Sequence, residues 1–303
     1  MSQTSGVSIA QDGADTSSLS LFCDLFKLRI GLAIGLAALA GIAVSPGKAP
    51  SISRTVLLVA SVILTSAAAG AFNQYAERDL DARMLRTRNR VFVTGRFTPG
   101  REWPLAIAAL TLTGVALAAI AANVVSAIYT FLGAFTYGVV YTLWLKRRTR
   151  WNIVVGGLAG SFAVLAGAAA VTPTQLPVLP LTFAAVLFLW TPPHFWSLAI
   201  AYRDDYAAAN IPMLPVVVGD ARAARTVLAG AVLLIAATIL PTFLGMGWLY
   251  LAAAILGGTH LLIRSRQLVQ TPNRRTAMAN FRASLFQLTL LLLAAIAEGA
   301  LRG

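Results

Sequence analysis

Charged residues are scarce in this sequence, and the sequence motifs of several enzyme classes are absent. Only 12% of the 303 residues are charged, against roughly 25% in a soluble domain, which is too few for a surface that faces water. Cys23 is the only cysteine, so an intramolecular disulfide is excluded. There is no P-loop, dinucleotide fingerprint, CxxC pair or Ser-His-Asp order. Covalent nucleophilic catalysis therefore has no visible candidate.

The apolar residues occur in long uninterrupted stretches. Residues 103–145, 151–202 and 227–263 contain no Asp, Glu, Lys or Arg, and each stretch is longer than the roughly 20 residues that cross a bilayer as one helix. We predict an all-α membrane protein with nine transmembrane helices around a central cavity. The expected domain occupies 22–303, after a polar, disordered tail at 1–21. The predicted spans are 30–47, 55–75, 104–122, 124–145, 152–171, 178–200, 226–244, 247–263 and 283–301.

The positive charges predict the orientation of these spans. With the N-terminus inside, 21 of the 24 Lys and Arg residues fall in inner loops, and only Lys48, Arg54 and Arg302 fall outside. Lys and Arg concentrate on the cytoplasmic side of membrane proteins, so we expect a cytoplasmic N-terminus and a periplasmic C-terminus. Nucleic-acid binding is disfavoured because there is no soluble basic domain.

A row of polar side chains lies at the inner end of the second span. Asn73, Glu77 and Asp81 are four residues apart, a spacing that places them on one helix face. Oxygen ligands in such a row suit Mg²⁺. A solvated helix end with ordinary ion pairs is the alternative, although ionisable groups beside a membrane span are usually functional. Asp79 points away from this face, and we expect it to pair with Arg78 or Arg83.

A second acidic pair and several basic residues occupy other inner loops. Asp204 and Asp205 follow the sixth span and could complete a metal site with the first row, or could simply cap a helix. Arginine is well shaped to grip phosphate oxygens, although the positive-inside bias alone explains most of these bases. The candidate bases in the two earlier loops are Arg83, Arg86, Arg88, Arg90, Lys146, Arg147 and Arg148.

The sixth span contains the segment Pro192-Pro193-His194. We expect the two prolines to break the helix and to leave backbone groups that need buried partners. His194 could face a cavity and contact a polar or metal-bearing substrate. The alternative is a histidine that only hydrogen-bonds a neighbouring side chain.

Together these stretches resemble the UbiA-type intramembrane prenyltransferase superfamily. Its first motif, N-x-x-x-[D/E]-x-x-x-D, falls on Asn73, Glu77 and Asp81. Finer matches are typical of the branch that farnesylates haem, and the resemblance covers about residues 22 to 300. These matches lie at 73–81, 86–90, 141–149, 152–157, 193–196, 204–206 and 211–215.

The resemblance implies a chemistry and a set of functional residues. It implies transfer of a farnesyl group from farnesyl diphosphate to a vinyl group of haem b, which gives haem O for haem A and terminal oxidases. It also implies a bacterial-type inner membrane, an active site that faces the cytoplasm, and a haem A synthase as downstream partner. The implied catalytic residues are Asn73, Glu77, Asp81, Asp204 and Asp205. The implied Mg²⁺ ligands are Asn73, Glu77, Asp81 and Asp205; the implied diphosphate ligands are Lys146, Arg147, Arg88 and Arg86; and the implied haem ligand is His194.

Two other functions remain open from the sequence. One is a prenyltransferase of the same superfamily that uses an aromatic quinone precursor or a chlorophyll-type acceptor. The other is a polytopic transporter, a class in which broken helices are common.

Overall fold

The computed structural model describes residues 18–302, and all regular structure in this range is helical. The all-α prediction is confirmed for this part of the chain. The predicted polar tail, 1–21, lies mostly outside the described residues. The helices are α1 Ser18–Leu25, α2 Leu28–Ala43, α3 Ile52–Ala76, α4 Arg78–Asp81, α5 Glu102–Ala121, α6 Val124–Phe135, α7 Asn152–Gly156, α8 Leu158–Val171, α9 Val178–Ala201, α10 Arg203–Ala208, α11 Leu214–Val218, α12 Asp220–Phe243, α13 Trp248–Gln270 and α14 Arg274–Arg302, with a π-helical segment Thr136–Leu145 after α6.

A helix lies at each of the nine predicted span positions. Within residues 18–302, seven helical segments are long and apolar enough to cross a membrane. The other two predicted spans correspond to α2, which has 16 residues, and to α13, whose inner end carries Arg264 and Arg266. Several transmembrane crossings are therefore established by length and composition, and the count of nine stays a prediction.

The sixth predicted span is continuous, so the expected break at the prolines is wrong. Helix α9 runs through Pro192 and Pro193. Proline removes a backbone donor, but neighbouring helices and hydroxyl side chains can support a membrane helix at such a point. The Thr191 hydroxyl donates to the Leu187 carbonyl (3.0 Å), and the Ser197 hydroxyl donates to the Pro193 carbonyl (2.6 Å).

The fourth predicted span also differs from a simple α-helix. It begins as α6 and continues as the π-helical segment Thr136–Leu145. The wider helix spaces its hydrogen bonds by five residues, as in the bond from the Lys146 amide to the Tyr141 carbonyl (3.0 Å). Tyr137, Thr142 and Lys146, spaced by five and four residues, are all directed toward α3 or the side chains around its inner end.

Helices α2 and α8 approach each other through two glycines. A Cβ on Gly41 would overlap the carbonyl oxygen of Val164, and one on Gly167 would overlap that of Ala38. Small residues allow membrane helices to come this close. The contact places α2, and the chain segment before it, against the centre of the bundle.

A buried carboxylate joins α14 to the start of α13. Glu298 is 6% exposed, and its carboxylate accepts hydrogen bonds from the backbone amides of Gly247 (2.5 Å) and Tyr250 (2.8 Å). Anionic groups stabilise helix N-termini because the first amides lack intrahelical partners. This interaction explains an acidic residue near the end of an apolar helix.

We expect Gly167→Ala to destabilise the bundle, because its methyl group has no space beside the Ala38 carbonyl. Overpacking of this kind costs about 1–3 kcal/mol. Thermal unfolding in detergent measures the loss. Gly160→Ala is the matched control, since its Cβ would lie 3.6 Å from Leu187; equal midpoints for the two variants would contradict the close α2–α8 contact.

Candidate active site

The row Asn73, Glu77 and Asp81 lies at the inner end of α3 and is buried. Helix α3 ends at Ala76, and Glu77 (φ −101°, ψ 10°) joins it to the short α4. Hydrogen bonds from the Glu77 amide to Asn73 (3.0 Å) and from the Asp81 amide to Glu77 (2.8 Å) keep the spacing across this junction. The three residues are 3%, 1% and 1% exposed. The alternative of a solvated helix end does not fit this burial.

Each member of the row has a cationic partner. Lys146 Nζ lies 2.5 Å from Glu77 Oε2, and Arg90 lies 2.6 Å from Asp81 Oδ2. Lys27 Nζ donates to Asn73 Oδ1 at 2.7 Å. We call these residues the buried cluster: Asn73, Glu77, Asp81, Lys27, Lys146 and Arg90. It joins the start of α2, the end of α3, the end of the π-helical segment and the loop after α4.

Lys27 occupies an unusual position in this cluster. Its backbone is left-handed (φ 48°, ψ 44°), a conformation that costs a non-glycine residue free energy. Its amine also donates to the Tyr137 hydroxyl (2.8 Å). Burial and the neighbouring charge of Arg90 lower the pKa of Lys27 well below its usual value. The strained backbone thus directs a buried amine at the acidic row.

The cluster fits a divalent cation. Glu77 Oε1 and Asp81 Oδ1 are buried and lack hydrogen-bond partners among the described residues. Buried carboxylate oxygens are costly unless something pairs with them. No group of three acidic, His or Cys side chains that could hold a metal occurs within residues 18–302, so the protein would supply only part of a coordination shell. Mg²⁺ usually binds in this way, with substrate phosphates and water as the remaining ligands.

Aromatic faces line the side of the cluster formed by the π-helical segment. Tyr137 and Tyr141 stack with centroids 5.8 Å apart. Lys27 lies 5.5 Å from the Tyr137 ring and Lys146 5.7 Å from the Tyr141 ring. Since aromatic faces attract cations, this wall stabilises positive charge beside the acidic row.

The second acidic stretch lies at the same end of the bundle as the row Asn73, Glu77 and Asp81. Asp205 accepts hydrogen bonds from the amides of Leu85 (3.1 Å) and Arg86 (3.0 Å), in the loop that follows Asp81. Both of its carboxylate oxygens are therefore used to hold that loop. Asp204 is exposed and borders a separate cavity.

The other predicted diphosphate ligands lie outside the buried cluster. Arg147 pairs with Asp79 at 2.9 Å on the surface, so the expected pairing of Asp79 with Arg78 or Arg83 is wrong. Partial burial alone would raise the pKa of Asp79, but the hydrogen bond and charge of Arg147 outweigh it and lower that pKa. Arg88 is exposed, and Arg86 stacks on Tyr202 at 5.2 Å.

His194 lies deeper in the bundle, on α9. It is 4% exposed and packs between the rings of Trp190 (4.1 Å) and Phe281 (4.3 Å). Its Nδ1 lies 2.7 Å from the Ser284 hydroxyl. These contacts agree with the hydrogen-bonding alternative, and a contact with haem remains a prediction.

The family follows from comparison with known proteins. Residues 34–291 match the UbiA prenyltransferase family. The chain belongs to the UbiA prenyltransferase family. Across 288 residues it is 57% identical to protoheme IX farnesyltransferase 2 of Paramagnetospirillum magneticum. The alignment covers 95% of this chain and 100% of that relative.

Solved structures of other proteins share the UbiA fold. A digeranylgeranylglyceryl phosphate synthase superposes with a TM-score of 0.74 at 17% identity, over 93% of this chain and 98% of the other. A UbiA homologue from Archaeoglobus fulgidus bound to DMAPP and Mg²⁺ gives a TM-score of 0.67 at 18% identity, over 90% and 99%. The membrane prenyltransferase fold is thus established for this family member.

Several residues in or beside the buried cluster were not predicted as site residues from the sequence. Lys27 and Arg90 were masked by the many bases that the positive-inside bias places in inner loops. Tyr137, Tyr141 and Thr142 lie in an apolar run that gives no sign of a π-helix. Asn73 donates to the Thr142 hydroxyl (3.0 Å), a contact that only the wider helix geometry reveals.

We expect Lys146→Met to destabilise this UbiA protein strongly, because it leaves the Glu77 carboxylate buried without its partner. Breaking a buried pair on one side costs about 3–5 kcal/mol. The double variant Lys146→Met/Glu77→Gln should recover most of that loss. Arg147→Gln, on the exposed pair, should cost at most about 1 kcal/mol. Unfolding in mixed micelles measures all three, and additive losses in the double variant would contradict the coupling.

Proposed function

We propose that this protein transfers the farnesyl group of farnesyl diphosphate to a vinyl group of haem b. The product is haem O, which a haem A synthase consumes in building terminal oxidases. The proposal is supported by 57% identity to a protoheme IX farnesyltransferase along that relative's whole length. The observation that carries it is the buried cluster, where unpartnered carboxylate oxygens lie beside three cationic side chains.

Asn73, Glu77 and Asp81 are the proposed Mg²⁺ ligands, and the Archaeoglobus homologue bound to DMAPP and Mg²⁺ supports a metal-dependent site. The ion supplies positive charge that neutralises a leaving diphosphate. Asp205 belongs to this site through the loop that it holds, and Asp204 lies at its rim.

The cations of the cluster bind the diphosphate in this proposal. Lys146 and Arg90 match the carboxylates of Glu77 and Asp81 in number, and Lys27 adds a further amine donor beside Asn73. Incoming phosphate oxygens replace the carboxylates as partners of Lys146 and Arg90 and also accept from Lys27. Such preorganised donors stabilise negative charge as it develops on the leaving group. Arg88 and Arg147, at the exposed rim, attract the anion as it enters.

The transferred carbon loses its bond to the diphosphate oxygen, and positive charge develops on the allyl group. Tyr137 and Tyr141 present aromatic faces to this charge. The haem vinyl group then donates its electron pair to the allylic carbon, which forms the new carbon–carbon bond. Water adds to the resulting cation and loses a proton, which leaves a hydroxyethylfarnesyl group.

We infer nine membrane crossings, with the N-terminus in the cytoplasm and the C-terminus in the periplasm of a bacterial-type inner membrane. A single domain, 22–303, forms the bundle. The 21 inner Lys and Arg residues favour this orientation. In it, the buried cluster and Asp205 both lie at the cytoplasmic face. The continuous α9 gives no support to a broken-helix transporter.

Glu77→Gln and Asp81→Asn should each lower the rate of haem farnesylation by about 10²–10³-fold, the usual loss when one electrostatic contact to the transition state is removed. Membranes are supplied with haem b, farnesyl diphosphate and Mg²⁺, and the hydroxyethylfarnesyl adduct is measured by mass. Asp79→Asn is the matched control, since Asp79 is exposed in the same stretch.

Chelation of divalent ions should abolish adduct formation in the wild type, and added Mg²⁺ should restore it. Near-normal rates in both carboxylate variants would remove the buried cluster from the reaction. Adduct formation on an aromatic quinone precursor in place of haem would keep the prenyltransferase chemistry and reject the acceptor.

His194→Ala should weaken haem binding at least tenfold if its imidazole contacts haem, because a neutral imidazole is a common metal ligand. Absorbance titration of the purified variants measures this affinity. His260→Ala is the matched control, since the ring of His260 contacts only Phe286 (5.6 Å) among the described rings. An unchanged affinity in His194→Ala would leave this residue with a packing role.

A further inference from the structure

A cavity of about 630 Å³ opens at the inner ends of α9 and α14. Its volume lies within the range of about 300–1,000 Å³ that is usual for small-molecule sites. Tyr202, at the end of α9, and Arg274, at the start of α14, line it together with Arg86. No member of the buried cluster lines this cavity, so it is a second site.

Two guanidinium groups in this cavity share one aromatic ring. Arg86 lies 5.2 Å and Arg274 5.1 Å from the centroid of Tyr202. Among the residues that the structure describes, neither arginine has a carboxylate within ion-pair distance. Stacking fixes the plane of a guanidinium while its N–H groups remain available, and such a fork matches a carboxylate in a bidentate manner.

The acidic residues of the cavity are largely occupied elsewhere. Both oxygens of Asp205 accept hydrogen bonds from backbone amides. Asp220 pairs with Arg203 through Oδ2 at 3.6 Å, and its Oδ1 is buried without a hydrogen-bond partner among the described residues. Asp204 is exposed and acts electrostatically on Asp220. Arg86 and Arg274, beside Tyr202, are therefore the cations of this cavity that no carboxylate of the described residues pairs with.

We propose that Arg86, Arg274 and Tyr202 bind the two propionate groups of haem, which are the paired carboxylates of the acceptor. This inference rests on the proposed function. Ligand carboxylates, which bind arginine without a metal ion, fit this cavity better than a diphosphate that binds together with a metal ion. A metal–diphosphate needs several unpartnered carboxylate oxygens close together; the buried cluster has two, on Glu77 and Asp81, whereas the cavity has one, on Asp220.

The loop after α4 places the two sites side by side. Arg90 in this loop reaches Asp81 in the buried cluster, and Arg86, four residues earlier, reaches Tyr202 in the cavity. Haem carries its propionates and its vinyl groups at opposite edges. With the propionates held at the inner surface, the apolar vinyl edge points into the bundle, where the farnesyl chain would lie.

The test compares haem b with its dimethyl ester, which lacks the carboxylates. Arg274→Gln should raise the KM for haem b about tenfold or more, as expected for the loss of a charge-assisted pair, and leave the KM for farnesyl diphosphate within about twofold. With the ester, wild type and Arg274→Gln should have the same raised KM. Arg274→Lys should restore part of the preference for free haem. Arg275→Gln is the matched control, since Arg275 is exposed and lines a different cavity.

Two outcomes would overturn the assignment. A raised KM for farnesyl diphosphate with an unchanged KM for haem b would make the cavity part of the diphosphate site. An equal loss with haem b and with the ester would reduce Arg274 to a support for Tyr202.

Equilibrium titration of haem b and its ester into purified protein in nanodiscs separates this inference from the proposed function. A preference for haem b over the ester that Arg274→Gln abolishes supports the propionate site, even if the wild type forms no farnesyl adduct. A wild type that binds both forms equally contradicts the site, even if the adduct is formed.

Discussion

The ion pairs at the inner end of α3 are the constraint on which the rest of this site depends. Glu77 and Asp81 are almost fully buried, and carboxylates in such a place are tolerated only with partners. Lys146 supplies one partner from an element 69 residues away in sequence, and Arg90 supplies the other from the loop that follows α4. The π-helical segment and the loop after α4 must therefore fold against α3 for the charges to be neutralised.

This arrangement prepares the protein for an anionic substrate. The carboxylates hold cationic side chains in place beside the acidic row, at the mouth of an apolar bundle. In the proposed reaction, a diphosphate would meet donors whose desolvation and ordering have already been achieved during folding, which is the condition for strong electrostatic catalysis. The strained backbone of Lys27 fits the same logic, because functional sites often retain local strain that the surrounding structure supports.

Much of the fold could be predicted from the sequence, since the apolar runs marked a helix at all nine expected positions. The four-residue spacing likewise predicted one shared helix face for Asn73, Glu77 and Asp81, and the structure shows that this face is buried. The π-helical segment could not be predicted, because an apolar run predicts a helix without indicating its hydrogen-bond spacing, and π-helices are rare. Partners such as Lys146 for Glu77 depend on tertiary packing, and among so many arginines the sequence did not distinguish Arg90 from its neighbours. The predicted break at the prolines of α9 was wrong because the prediction considered only the local effect of proline. It did not include the helices that pack around α9 and support it.

The loop after α4 connects the buried cluster with the cavity, the two sites that we propose for the diphosphate and for haem. Asp205 on α10 fixes the backbone of this loop. The two arginines of the loop that contact the two sites, Arg90 and Arg86, therefore keep their relative positions. Arg90 forms an ion pair with Asp81 in the buried cluster. Arg86 has no carboxylate partner among the described residues and lines the open cavity. Asp205 positions this loop through both of its carboxylate oxygens. Each oxygen keeps a second lone pair, so holding the loop and binding a metal ion are compatible roles for this carboxylate.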